Sequence, residues 1–204
     1  MLKRGAILAV LFLSASFATA QEFPFEASVS AGPAISRSTS GNQTTQTVTE
    51  GYVGLASIRL NFSKRNSAEF SYARSRNTQE YFSSPYQYRI QDTISEYSGA
   101  YVFRPIRWGN FRPFLLAGAG VLRFNPIPAG TTINLILTPL STVEQNRATF
   151  VYGGGLDYHI TRRWGVRLQY RGLLYKVPDF GVNNLFTGAT GNLSEPTIGV
   201  VYRF

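Results

Sequence analysis

Charged side chains recur at alternate positions along several stretches of this chain, and any chemistry it performs must be sought there. Glu26, Glu69, Asp92, Glu96, Asp157 and Glu195, with Arg59, Arg123, Arg167, Arg171 and Arg203, share strand faces with mostly small or polar residues. A strand has period two, so such residues point to one side while apolar neighbours point to the other. Acids and arginines sheltered together are expected to pair, because an unpaired buried charge is costly. A hydroxyl or thiol nucleophile would need an adjacent base. The chain has no cysteine and one histidine, His159, followed by Ile160 and Thr161 with no His-x-Ser pair. A structural histidine hydrogen-bonded among the charges is the expected role, so no catalytic residue is assigned and no enzyme is expected. The shortage of His and Cys argues against a soft-ligand metal site. The carboxylates are too scattered to suggest a hard-ion site, and no cofactor is expected.

The elements that must position these charges are eight alternating segments. They are expected at Phe25–Ile35, Tyr52–Phe62, Ala68–Arg74, Asp92–Phe103, Phe111–Phe124, Thr149–Ile160, Gly165–Tyr175 and Glu195–Phe204. In the first, Phe25, Ala27, Val29 and Ala31 oppose Glu26, Ser28 and Ser30. In the fifth, Phe114, Leu116, Leu122 and Phe124 are read as outward, with Leu115, Ala117, Ala119 and Arg123 inward. Spans near ten residues suit tilted strands that cross a bilayer, where closure satisfies every backbone group. The predicted fold is therefore all-β: a transmembrane antiparallel up-and-down barrel of eight strands. A ten-stranded barrel using Ile133–Leu137 is the alternative.

The two ends of the chain agree with a membrane destination. Met1 to Ala20 carries Lys3 and Arg4, an apolar run from Ala6 to Leu13, and the small-x-small site Ala18-Thr19-Ala20. That is the plan of a cleaved signal peptide, leaving residues 21–204 as the barrel domain. At the other end, Ile198, Val200, Tyr202 and Phe204 form the apolar face of a final strand. A chain stopping on such an aromatic residue resembles the terminal assembly signal of bacterial outer-membrane barrels, which implies recognition by the barrel assembly machinery.

Short connections fall at Ser63–Ser67, Arg104–Asn110 and Thr161–Trp164. Long ones fall at Arg37–Glu50, Ser75–Gln91, Asn125–Arg147 and Lys176–Ser194. Short periplasmic turns facing four long extracellular loops are the asymmetry of an outer-membrane barrel. Trp108 and Trp164 lie in the short turns, where indole rings form an interfacial belt. The turns also hold Lys64, Arg65, Arg104, Arg107, Arg162 and Arg163 without an acid. The formal net charge of +9 thus points to anionic lipid headgroups, and nucleic acid is not expected as a partner.

Phe111-Arg112-Pro113-Phe114 followed by Leu115 to Val121 resembles the Gly-rich fifth strand of the OmpA-like outer-membrane β-barrel family. Phe150 to Tyr158 and Trp164 to Arg171 are similar to its sixth and seventh strands. The resemblance spans the mature chain and implies a small eight-stranded barrel without a peptidoglycan-binding domain, in a Gram-negative-type outer membrane reached through the periplasm. Lipid A acyl-modifying enzymes share that architecture but depend on a histidine near a serine, which this chain lacks.

Turn symmetry places Asp157 opposite Arg167, Arg59 opposite Glu69, and Glu26 near Arg203 where the barrel closes. Eight strands leave room for little beyond their own side chains, so a plugged interior is expected. The partners expected are outer-membrane lipids and the assembly machinery, with the barrel itself monomeric. The expected role is envelope structure with surface adhesion or recognition through the loops, toward a ligand that the residues do not identify. The alternative is a small porin-like channel for ions or small hydrophobic solutes. The first loop reads as mobile, and the fourth as an ordinary exposed loop. The second, with Tyr81, Phe82, Tyr86 and Tyr88 around Pro85, reads as a strand extension in preference to a binding cluster.

Overall fold

Alternation of large apolar and small polar residues, which lets a strand present one face to each of two environments, organises almost everything the computed structural model describes, residues 24–127, 132–134, 136–137 and 143–204. Eight strands form the wall: β1 Phe25–Ser36, β2 Gly51–Asn61, β3 Asn66–Ser83, β4 Tyr86–Phe103, β5 Phe111–Pro126, β6 Gln145–His159, β7 Trp164–Lys176 and β8 Thr190–Arg203. Each pairs antiparallel with its chain neighbour. β1 pairs with β8, with Glu26 opposite Arg203 and Val29 opposite Val200, so the sheet closes. The cleavage site and leader expected at residues 1–20 lie outside the described residues.

The short turns are held by local side-chain acceptors. Ser63 Oγ accepts the amides of Arg65 and Asn66, and Thr161 Oγ1 accepts those of Arg163 and Trp164. Trp108 and Phe111 exchange backbone bonds around Gly109, whose φ of +54° favours a residue without Cβ.

Outside, Val29, Ile58, Phe70, Leu115, Phe150, Leu168 and Ile198 form an exposed apolar belt. An exposed apolar surface that encircles a closed sheet requires a lipid solvent. Aromatic rings rim the belt at the turn end, including the pairs Trp164–Tyr202 at 4.7 Å and Phe111–Tyr158 at 4.8 Å. Trp108 is 68% exposed in the same rim.

Three expectations change. First, β3 and β4 continue well past the predicted ends, to 18 residues each. About ten residues suffice to cross the bilayer, so the second loop is chiefly a ribbon rising above it, the strand extension that its aromatic residues suggested. Ile133 and Ile136 pair in a small hairpin along the outer end of β4 and add no wall strand.

Second, the first loop is ordered among the described residues. Thr39–Gly41 and Thr44–Val48 form a hairpin that extends onto β3. Its turn residues Asn42 and Gln43 both have positive φ, 48° and 61°, the backbone twist that suits a two-residue hairpin.

Third, β5 has the opposite phase. Phe114, Leu116, Leu122 and Phe124 are buried inside, while Leu115 and Arg123 face outward. Both faces of this strand are apolar, so the aromatic residues alone do not set its phase. Arg112 does: it shares parity with Phe114 and puts a charge on that side at the turn-end edge of the bilayer, where the other side has Phe111 and Pro113. The other side, Pro113 to Val121, is apolar throughout, as lipid demands.

Candidate functional site

The turn end of the barrel interior holds a balanced cluster of ions. β6 and β7, joined by a tight turn, set Asp157 opposite Arg167, while β2 and β3 set Arg59 opposite Glu69. Arg167 grips Asp157 with two bonds, Nε to Oδ1 at 2.6 Å and a terminal nitrogen to Oδ2 at 3.0 Å. Its other terminal nitrogen reaches Glu69 at 3.3 Å and Ser28 Oγ at 3.1 Å. Arg59 returns the exchange, donating to Glu69 at 2.8 Å and Asp157 at 3.3 Å. The two hairpins, distant in sequence, are therefore cross-linked through the lumen. Phe114 supports both guanidinium groups, which lie 4.4 Å and 5.2 Å from its ring centroid.

Arg104 completes this layer. It donates to Glu26 at 2.8 Å, Asn61 at 2.7 Å and Ser67 at 3.1 Å. Read from sequence as a turn residue beside headgroups, it instead folds inward and is buried. The signal was available: Arg104 continues the even parity of Glu96, Ser98 and Ala100 one step past the end of β4. Three arginines and three carboxylates thus satisfy one another, the condition under which buried ions are tolerated.

The remaining inward charges form separate groups. In the next layer Arg171 donates to Glu96 and to Ser98 Oγ, with Glu195 4.0 Å away. Asp92 is higher still and accepts from Gln79 at 2.8 Å, and Gln79 in turn accepts from Gln46 at 3.0 Å. Arg203 lies at the turn end and donates to the Thr161 carbonyl. Arg123, expected in this network, is 54% exposed on the outer face and pairs with Glu144 at 2.6 Å. The inverted phase of β5 puts it there. His159 is buried at the turn end, yet neither ring nitrogen has a hydrogen-bond partner among the described residues. The expected bonding to interior charges is absent, and no serine is hydrogen-bonded to it as a nucleophile would be.

Between the Arg171 group and Asp92 the lumen turns apolar. Val53, Leu55, Ile94, Leu122, Val151, Leu173 and Leu193 are all buried. Four of them, Leu122, Val151, Leu173 and Leu193, are at most 1% exposed. At the outer face of this region Gly172 is covered by the Tyr152 ring, which a Cβ would meet at 2.3 Å.

The loops then close the top. The fourth, expected to be an ordinary exposed loop, buries Phe180 and Leu185 completely. Phe180 packs edge-on against Tyr81, whose hydroxyl donates to the Pro178 carbonyl at 2.7 Å. Thr44 of the first loop bonds the Asn184 carbonyl at 3.2 Å, and the Val143 amide bonds the Phe180 carbonyl at 3.0 Å. Of the aromatic set in the second loop, Tyr81 and Tyr88 are buried in this cap, while Phe82 and Tyr86 remain exposed.

Asp179 ties the third and fourth loops, accepting from Gln145 and the Gly181 amide with Arg147 at 3.5 Å. Burial opposes its charge, but these donors and the Arg147 cation outweigh burial and hold the carboxyl below the ordinary carboxylate range. A depressed folded-state value means that this contribution is present above the unfolded value and lost as pH falls through the folded one. Hydrogen exchange should accordingly show the protection factor of the Val143 amide decreasing below about pH 4. Protection unchanged to pH 2 would show that the carboxylate does not hold the loops together.

Residues 5–204 match the family model described as outer membrane protein beta-barrel domain. Among solved structures, Neisserial surface protein A is similar with a TM-score of 0.61 at 14% identity, covering 89% of this chain and 97% of that one. The outer membrane protein OprG from Pseudomonas aeruginosa is similar with a TM-score of 0.60 at 13% identity, with the same coverage of 89% and 97%. At these identities the likeness concerns the fold. No curated protein sequence matches the chain.

Proposed function

This chain belongs to the outer membrane protein β-barrel domain family, and from that premise we propose that it is a non-conducting surface barrel of the outer membrane. It contributes to envelope structure, and its capped loops present a fixed surface for adhesion or recognition. The observation that carries this reading is the filled lumen, where a neutral ion layer, an apolar layer and a docked loop cap succeed one another along the axis. A dry apolar layer is a barrier to ions whatever the charges below it do.

The barrel reaches its membrane after removal of a leader, and it is assembled through its last strand. Tyr202 and Phe204 support that role: their rings pack 5.1 Å apart beside Trp164, on the lipid side of the closing seam. Anionic headgroups are the expected neighbours of Lys64, Arg65, Arg107, Arg162 and Arg163 at the turn end.

Single-channel recording of the refolded barrel in a planar bilayer tests the central claim. The expected result is a folded protein, verified by its heat-dependent gel mobility, that shows no discrete conductance steps. Reproducible openings would favour the channel reading, with the inward arginines acting on selectivity.

A further inference from the structure

We propose that the outer face of β3 and β4, at the loop-side edge of the apolar belt, binds the phosphorylated headgroup of an outer-leaflet glycolipid through Arg74 and Arg76. The proposal rests on the outer-membrane reading above and adds a specific lipid contact to it.

The edge of the belt is sharp on four adjacent strands. Tyr72, Tyr97, Val121 and Ala148 are register partners and form its last apolar row. The next outward row is Gly54, Arg74, Ser95, Arg123 and Asn146. Arg76 follows on the same strand face, opposite Tyr52 and Thr93. Arg74 and Arg76 therefore stand about 7 Å apart along β3, at the height where acyl chains give way to headgroups.

Both arginines are exposed, and among the described residues neither makes a side-chain hydrogen bond or ion pair. Every buried arginine of the ion layer, by contrast, has carboxylate partners. Two like charges on neighbouring positions of one face repel. None of their register neighbours is acidic: Gly54 adds no side chain, Thr93 is buried, and Tyr52 and Ser95 supply hydroxyls. The nearest cation along the row, Arg123, is neutralised by Glu144. The patch thus gathers two guanidinium forks and the hydroxyls of Tyr52 and Ser95 with no carboxylate among the register partners, which suits a phosphate oxygen cluster. Below it, Tyr72 and Tyr97 pack with centroids 5.1 Å apart and offer an interfacial platform to the lipid's sugar and first methylenes.

The test measures binding of lipid A to the refolded full barrel in detergent micelles, using the bis-phosphorylated form and an enzymatically dephosphorylated form. The expected result is at least tenfold weaker binding on removing the phosphates, and a similar loss in Arg74→Gln/Arg76→Gln. Arg76→Gln alone gives the same comparison if the double variant refolds poorly. Arg89→Gln, farther out on β4 and paired with Glu80, should leave affinity unchanged. Equal affinity for both lipid forms, an unaffected β3 variant, or equal weakening by Arg89→Gln would overturn the site in favour of diffuse charge attraction. A barrel that shifts on the gel yet fails to bind counts against this site alone, whereas a chain without the heat-dependent shift counts against the barrel reading too.

Discussion

Arg167→Ala should destabilise the barrel by about 3–5 kcal/mol, the cost of stranding a buried charge after its partner is removed. Asp157 loses both strong bonds to Arg167 and keeps the 3.3 Å contact with Arg59. Glu69 and Ser28 lose a donor as well. Water cannot easily compensate, because Asp157 lies inside a closed wall beneath an apolar layer. Equilibrium urea unfolding of the refolded barrel gives the measurement. Adding Asp157→Asn to the alanine variant should restore part of the loss, since the neutral amide removes the stranded charge, and the double-mutant cycle isolates the pair. An unchanged unfolding midpoint for Arg167→Ala would mean that Arg59 carries the network by itself.

Phe180→Ala should open the cap without unfolding the wall. A fully buried phenylalanine truncated to alanine costs about 3–5 kcal/mol, and here the loss falls on loops instead of on the strand ladder. Phe180 fills the space beside Tyr81, and its backbone receives the Val143 amide. Trypsin should then cut at Lys176, a strand-end lysine whose Nζ now donates to the Gly188 carbonyl, while the protected barrel keeps its gel mobility. The leucine and valine layer beneath is untouched, so the variant should remain electrically silent. Conductance appearing in Phe180→Ala would make the loop cap, and not the apolar layer, the seal. A cleavage pattern identical to the parent would show that the fourth loop is held mainly by its other contacts.

Much of the wall is legible from residues because a strand in lipid obeys a strict alternation. Glu26, Arg59, Glu69, Asp157, Arg167, Arg171 and Glu195 all point inward as their parity requires, and two tight turns set their cross-strand partners. The rule weakened where both faces were apolar, so β5 was inverted and Arg123 misplaced until Arg112 is weighed against the uniform row from Pro113 to Val121. Counting to the expected strand end also missed Arg104, although its parity was inward.

The first and fourth loops were read as mobile or ordinary because their composition is polar, and composition says nothing of where a few apolar anchors land. Phe180 and Leu185 of the fourth loop lie about a hundred residues from Tyr81 and meet it only above the closed barrel.

The sequence by itself determined that this is a closed membrane barrel and which side of most strands faces lipid, because period-two patterning and turn length are local properties. Tertiary structure alone decided how the interior charges divide into separate groups, how the loops seal the top, and that Arg74 lines up with Arg123 across three strands. Each of those depends on the register and closure of strands distant in the chain, and no local pattern of residues encodes them.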